Sequence, residues 1–119
     1  MIHGCLTRAN DGRVIQNISK TSSFIERMLG LLGSPALKKD EGLLIVPCSS
    51  VHTFGMGYAI DLVFLDKQWN IVKTVNALKP WRISYSRSAN MVLELATGSL
   101  EQLQVTNGQK LEWHDDSQD

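Results

Sequence analysis

Two short apolar runs limit what this chain can fold into: GLLIVP at residues 42–47 and IDLVFLD at residues 60–66. Neither alternates polar with apolar side chains, and glycine, proline or charge bounds each, which is the pattern of strands buried on both faces. A chain carrying two such strands needs a sheet covered from both sides. The rest of the sequence supplies further strands. Residues 2–7 and 13–18 flank the turn Asn10-Asp11-Gly12 and read as a hairpin, and IDLVFLD followed by NIVKTVNA reads as a second. MVLELAT and QKLEWH add two more strands.

Helical signals are fewer. Ser23 with Glu26 forms a capping-box pattern that opens a helix with Phe24, Ile25, Met28, Leu29, Leu31 and Leu32 on one side, ended by Gly33. Ser34-Pro35 opens a further turn through Lys39, and Ser99 with Gln102 opens the short segment SLEQLQV. KPWRISYSRSA, at residues 79–89, has no clear period and reads as a long surface loop. The expected fold is mainly β, α+β by count: an antiparallel barrel or jelly-roll-like sandwich with one or two short helices packed at its edge.

At 119 residues the chain is the size of one domain, expected over 1–113, with the acidic HDDSQD at 114–119 as a frayed tail. Basic and acidic residues number 12 each, without the positive excess that neutralises phosphates, so nucleic acid is not an expected partner. No apolar run reaches the roughly 20 residues of a membrane span, and the first residues lack a signal peptide's apolar stretch. The expectation is a cytoplasmic chain, unless a leader has been removed, and a monomer or weak dimer. In a reducing compartment Cys5 and Cys48 are expected as packed thiols in preference to a disulfide.

Chemically capable side chains crowd into residues 47–61. Cys48, His52 and Met56 are spaced by four, which in an extended segment puts them on one side. A thiol beside an imidazole suits nucleophilic catalysis, with Asp61 as the orienting third group, and the added thioether suits a soft metal such as copper(I). Gly55 and Gly57 interrupt that phase, and the bland alternative is a packed thiol, a hydrogen-bonded histidine and a core methionine. Asp61 shares the face of Val63 and Leu65 in a buried strand, so it needs partners: Arg27, His52, Thr53 or the backbone amides of the glycine-flanked loop. Glu94, alternating with Val92 and Ala96, offers a second carboxylate for a glycosidase-type pair. Trp81, Arg82, Tyr85 and Arg87 mix aromatics with cations, a combination suited to an anionic or planar ligand, a carbohydrate or a protein partner. GLLGSP has the wrong spacing for a phosphate-cradling loop, so nucleotide-dependent chemistry is unsupported, and the sequence leaves any cofactor unknown.

The order of motifs, GLLG after a helical arginine, a glycine-led apolar strand, VHTFGM, IDLVFLD, a proline-containing loop and VLELATG, resembles the domain-of-unknown-function 192 family of small bacterial and archaeal proteins. The resemblance runs from about Phe24 to Trp113. It implies a compact, jelly-roll-like or barrel-like β fold with the first helix packed beside it, and it implies no reaction. The chain departs from the family pattern at Leu32, where methionine is expected, and at Gln109, where aspartate is common. The functional expectation is a non-enzymatic module that binds a small ligand or a protein partner at the 47–61 loop, with His52, Thr53, Met56, Asp61, Trp81 and Arg27 as ligand candidates. A Cys/His enzyme and a metal-handling protein using Cys48, His52 and Met56 are the alternatives.

Overall fold

The apolar runs become the middle of one sheet. The computed structural model describes residues 1–23, 26 and 37–116. Among them are nine strands and one short helix: β1 (Ile2–Arg8), β2 (Val14–Lys20), β3 (Gly42–Ile45), β4 (Ser50–His52), β5 (Ile60–Leu65), β6 (Ile71–Leu78), β7 (Ile83–Tyr85), β8 (Met91–Ala96), α1 (Ser99–Leu103) and β9 (Leu111–Asp115). Seven strands join in the order β6-β5-β8-β3-β2-β1-β9, while β4 and β7 pair separately. All pairings are antiparallel except β2 with β3.

The central strands β3, β5 and β8 are buried on both faces, apart from half-buried Ala96 at the end of β8. Side-chain alternation divides them between two clusters. Leu44, Val63, Leu65, Leu93 and Leu95 face inward with Leu6, Ile18, Ile71 and Leu111. Ile60, Leu62, Phe64 and Val92 face the other way and pack with Val51 and Met56. The edge strands curl towards each other and meet at one end, where Ile71 N donates to Gln109 O (2.8 Å) and Leu111 N to Trp69 O (3.0 Å). The result is a curled half-barrel with α1 at its edge. Two glycines permit the close approach of neighbouring chain: a Cβ on Gly4 would lie 2.2 Å from His114 O, and one on Gly42 would lie 2.6 Å from Ile18 Cδ1.

Both expected hairpins form, as β1–β2 and β5–β6. Three expectations are corrected. Residues 79–89 are not loop throughout, because β7 pairs with β4; three residues are too few to display a period against a background of aromatics and cations. The strand β9 extends beyond residue 113, with His114 opposite Cys5 and Asp115 opposite Gly4, so the first two residues of the acidic segment belong to the sheet. Ser99 does not cap α1: Gly98 is the N-cap, at φ 94°, and the Ser99 hydroxyl is buried without a hydrogen-bond partner.

One arm of the expected capping box at Ser23 forms, Glu26 N donating to Ser23 Oγ (3.2 Å). The Glu26 carboxylate turns instead to Ser22 N and Oγ (both 2.8 Å) and the terminal ammonium. The ammonium and then the two Ser22 groups hold its pKa down at about 2. The rest of that expected helix, Arg27 and Leu32 included, lies outside the described residues.

Candidate functional site

In the β4–β7 pair, Val51 and Ser84 face inward, while Ser50 with Tyr85 and His52 with Ile83 face outward. Flanking residues extend the outer face. Trp81, at φ 63°, stacks on Phe54 with centroids 5.7 Å apart and planes at 24°, and the His52 ring lies 5.1 Å from Phe54. The outcome is an apolar strip open to solvent: Phe54 is 45% exposed, Trp81 65%, Ile83 61% and Tyr85 61%. Lys73 borders it, its ammonium donating to Tyr85 O (2.8 Å) and sitting 5.7 Å from the Tyr85 ring centre.

Thr53 pins this unit. Its buried hydroxyl donates to Lys79 O (2.6 Å) and accepts from Arg82 N (2.9 Å), while its backbone N donates to Arg82 O (2.9 Å) and its O accepts from Trp81 N (3.1 Å). Met56 is buried in the core beneath. The ligand candidates His52, Thr53, Met56 and Trp81 therefore divide: His52 and Trp81 belong to the outer strip, and Thr53 and Met56 hold it from below.

The Asp61 carboxylate lies on the opposite face of the sheet. It accepts from Ala77 N (2.8 Å), Gly98 N (3.0 Å) and Leu100 N (3.0 Å), a clasp that ties β6 and the start of α1 to β5. The amides come from these two elements and not from the 47–57 loop, and neither oxygen is bonded to His52. The orienting role in a Cys-His-Asp arrangement is thereby corrected. So is the carboxylate pair, because Asp61 stands opposite Leu95 and Glu94 opposite Leu62, which puts the two acids on opposite faces.

Glu94, which the sequence offers only as a second carboxylate, is itself a buried group. Its Oε2 is buried with no hydrogen-bond partner, and burial pushes its pKa up to about 7. Burial and then the Glu94 charge raise the Tyr58 hydroxyl as well. The signal was available, since a glutamate in MVLELA is as anomalous as an aspartate in IDLVFL.

Cys48, packed against the second cluster, donates its thiol to Ser50 O (3.1 Å), and His52 Nδ1 is buried without a partner. Neither cysteine forms a disulfide. Among the described residues no three His, Cys, Asp or Glu side chains are grouped to hold a metal ion. A groove of about 170 Å³ opens elsewhere, between β2, β8, α1 and residues 39–41, and none of the candidate residues lines it.

The family profile that matches covers residues 6–113 and is described as an uncharacterised ACR. The chain belongs to the domain-of-unknown-function 192 (DUF192) family. A UPF0127 protein of Pyrococcus horikoshii is 36% identical over 99 residues, spanning 76% of this chain and 82% of that one. Among solved structures, a Sinorhizobium meliloti protein described as a "putative transcription regulator" superposes with a TM-score of 0.75 at 23% identity, over 92% of this chain and 91% of its own. A Novosphingobium aromaticivorans protein of unknown function superposes with a TM-score of 0.71 at 19% identity, over 92% and 83%. At these identities the superpositions speak for the DUF192 fold alone. The matched span contains both the strip and the Asp61 clasp, and the function of the DUF192 family is unknown.

Proposed function

We propose that this DUF192 chain is a non-enzymatic binding module whose contact surface is the outer face of β4 and β7. The observation that carries the reading is the contiguous solvent-facing strip of Phe54, Trp81, Ile83 and Tyr85. Large apolar side chains left in water at one place mark interaction sites, and aromatic anchors dominate binding energy at such sites. The backbone bonds of Thr53 hold the strip in one geometry, which lowers the ordering cost of binding. Of the groups that the enzyme and metal alternatives use, three are engaged elsewhere, the Cys48 thiol on Ser50 O, the Asp61 carboxylate on three amides and the Met56 thioether in the core, which leaves the His52 imidazole without the partners either chemistry needs.

Nuclear magnetic resonance titration of the chain with small acids, sugars and short peptides tests the reading. A binder is expected to shift amide signals of residues 52–54 and 81–85, and Trp81→Ala with Ile83→Ser is expected to abolish the shifts while leaving the melting temperature in place. Cys48→Ser is expected to keep both fold and binding. Perturbations that cluster at Cys48 and vanish in Cys48→Ser would sink the reading in favour of thiol chemistry.

A further inference from the structure

We infer that the strip receives an acidic protein segment, an extended stretch in which carboxylates accompany apolar anchors; this rests on the binding reading above and specifies its occupant. The distribution of charge carries the step. The chain balances 12 basic against 12 acidic residues overall, yet residues 67–93 contain Lys67, Lys73, Lys79, Arg82 and Arg87 and no Asp or Glu. Residues 47–60 also lack carboxylates. The acids that interrupt these stretches are occupied internally: Asp61 accepts three amides, Asp66 accepts from Gln68 N and Asn70 N (both 2.9 Å), and Glu94 is buried. Lys79, Arg82 and Arg87 are exposed and lie within two residues of Trp81 or Tyr85 in the sequence. An apolar strip bordered by cations is complementary to apolar side chains bordered by carboxylates.

Other occupants fit less well. A second copy meeting this face across a two-fold axis would set the same cations against themselves. Single-stranded nucleic acid needs a field of unspent cations and a series of free ring faces. Here the chain is neutral, Lys73 is bonded to Tyr85 O, Phe54 and Trp81 cover each other, and aliphatic Ile83 separates Trp81 from Tyr85. A small ligand would be poorly enclosed on a strip whose large side chains, Phe54, Trp81, Ile83 and Tyr85, are 45%, 65%, 61% and 61% exposed.

The test titrates the whole chain with labelled peptides in which Asp or Glu alternates with Leu or Phe, the matching Lys/Arg peptides, and single-stranded oligothymidine, each at low and at physiological salt. The acidic peptides are expected to bind, more weakly as salt rises. Arg82→Glu with Arg87→Glu should weaken them by on the order of tenfold, and Trp81→Ala by about thirtyfold, both with unchanged melting temperatures. Equal or tighter binding of the basic peptides or the oligonucleotide at this strip overturns the acidic assignment and leaves the binding reading standing. Acidic-peptide binding that ignores the Trp81 and arginine substitutions overturns the location. If no probe binds, the acidic assignment falls, and the broader reading falls with it only when the small-molecule and peptide titration is also blank.

Discussion

Two buried carboxylates in adjacent strands have opposite situations, and the difference is in their hydrogen bonds. Asp61 accepts three backbone N–H groups, two of them from the first turn of a helix, where donors are free and negative charge is favourable. Asp61→Asn would point an amide N–H₂ at one of those donor sets and is expected to cost on the order of 3 kcal/mol. Denaturant unfolding checks this, and an unchanged midpoint would remove the clasp from the account. Glu94 has a buried oxygen with no donor at all. Its pKa rises from the usual 4.5 to about 7 through burial, so between these values the unfolded chain loses the proton while the folded chain keeps it. Stability is therefore greatest, as far as this group is concerned, below its ordinary pKa, and declines by about 3 kcal/mol as pH climbs to the folded value. Glu94→Met removes that dependence. The difference in unfolding free energy between variant and parent should move in the variant's favour by about this amount across the interval, whatever constant packing offset the methionine adds. A pH-independent difference would mean that Glu94 ionises freely in the fold.

The elements follow the same logic of satisfied and unsatisfied groups. Five residues are too few for a helix to persist unaided, and α1 is fastened at both ends: Asp61 takes its first amides, and Arg8 donates to Leu103 O (3.1 Å) and Gln104 O (2.8 Å). Arg8→Met should cost about 2 kcal/mol. Combined with Asp61→Asn it should cost less than the sum, because a helix already released at one end has less left to lose at the other. Strict additivity in a double-mutant cycle would mean that the two ends are independent. The strands with long apolar runs were legible in the sequence because burial on both faces leaves no polar residue to confuse the pattern, as in IDLVFL, and the hairpin at Asn10-Asp11-Gly12 was legible through its turn residues. Asp61 was readable as a buried carboxylate needing partners for the same reason. The partners were not, because Ala77, Gly98 and Leu100 contribute backbone amides, which carry no side-chain signature. Likewise β4 and β7 are visible only as a pair: ISY means little until Thr53 fixes it beside SVH. The interruption that Gly55 and Gly57 signal in the run of Cys48, His52 and Met56 takes the form of a turn at 53–56, with Gly55 at φ 79°, which ends the extended phase before Met56.

For the molecule as a whole, the sheet and the β4–β7 unit should differ in how they come apart. The sheet's centre is buried on both faces and its edges are drawn together by β6 and β9, so opening any part of it exposes core. The β4–β7 unit has one wet face and three residues per strand, and it is joined to its surroundings through Val51, Met56 and the bonds of Thr53. Such a region opens locally at a free energy below that of global unfolding. Amides of β3, β5 and β8 are therefore expected to exchange with solvent only when the whole chain unfolds, and those of β4 and β7 much sooner. Thr53→Val keeps the shape of the side chain but deletes the hydroxyl bonds to Lys79 O and Arg82 N, worth about 2 kcal/mol together. Exchange in β4 and β7 should then accelerate about thirtyfold while the slowest amides of β8 change far less. The same variant should weaken any binder of the strip without altering a single exposed residue of it, since the loss falls on the geometry in which Phe54, Trp81, Ile83 and Tyr85 are presented. Equal acceleration in β8 would mean that the strip unfolds only with the core, and that its rigidity comes from the whole sheet and not from Thr53.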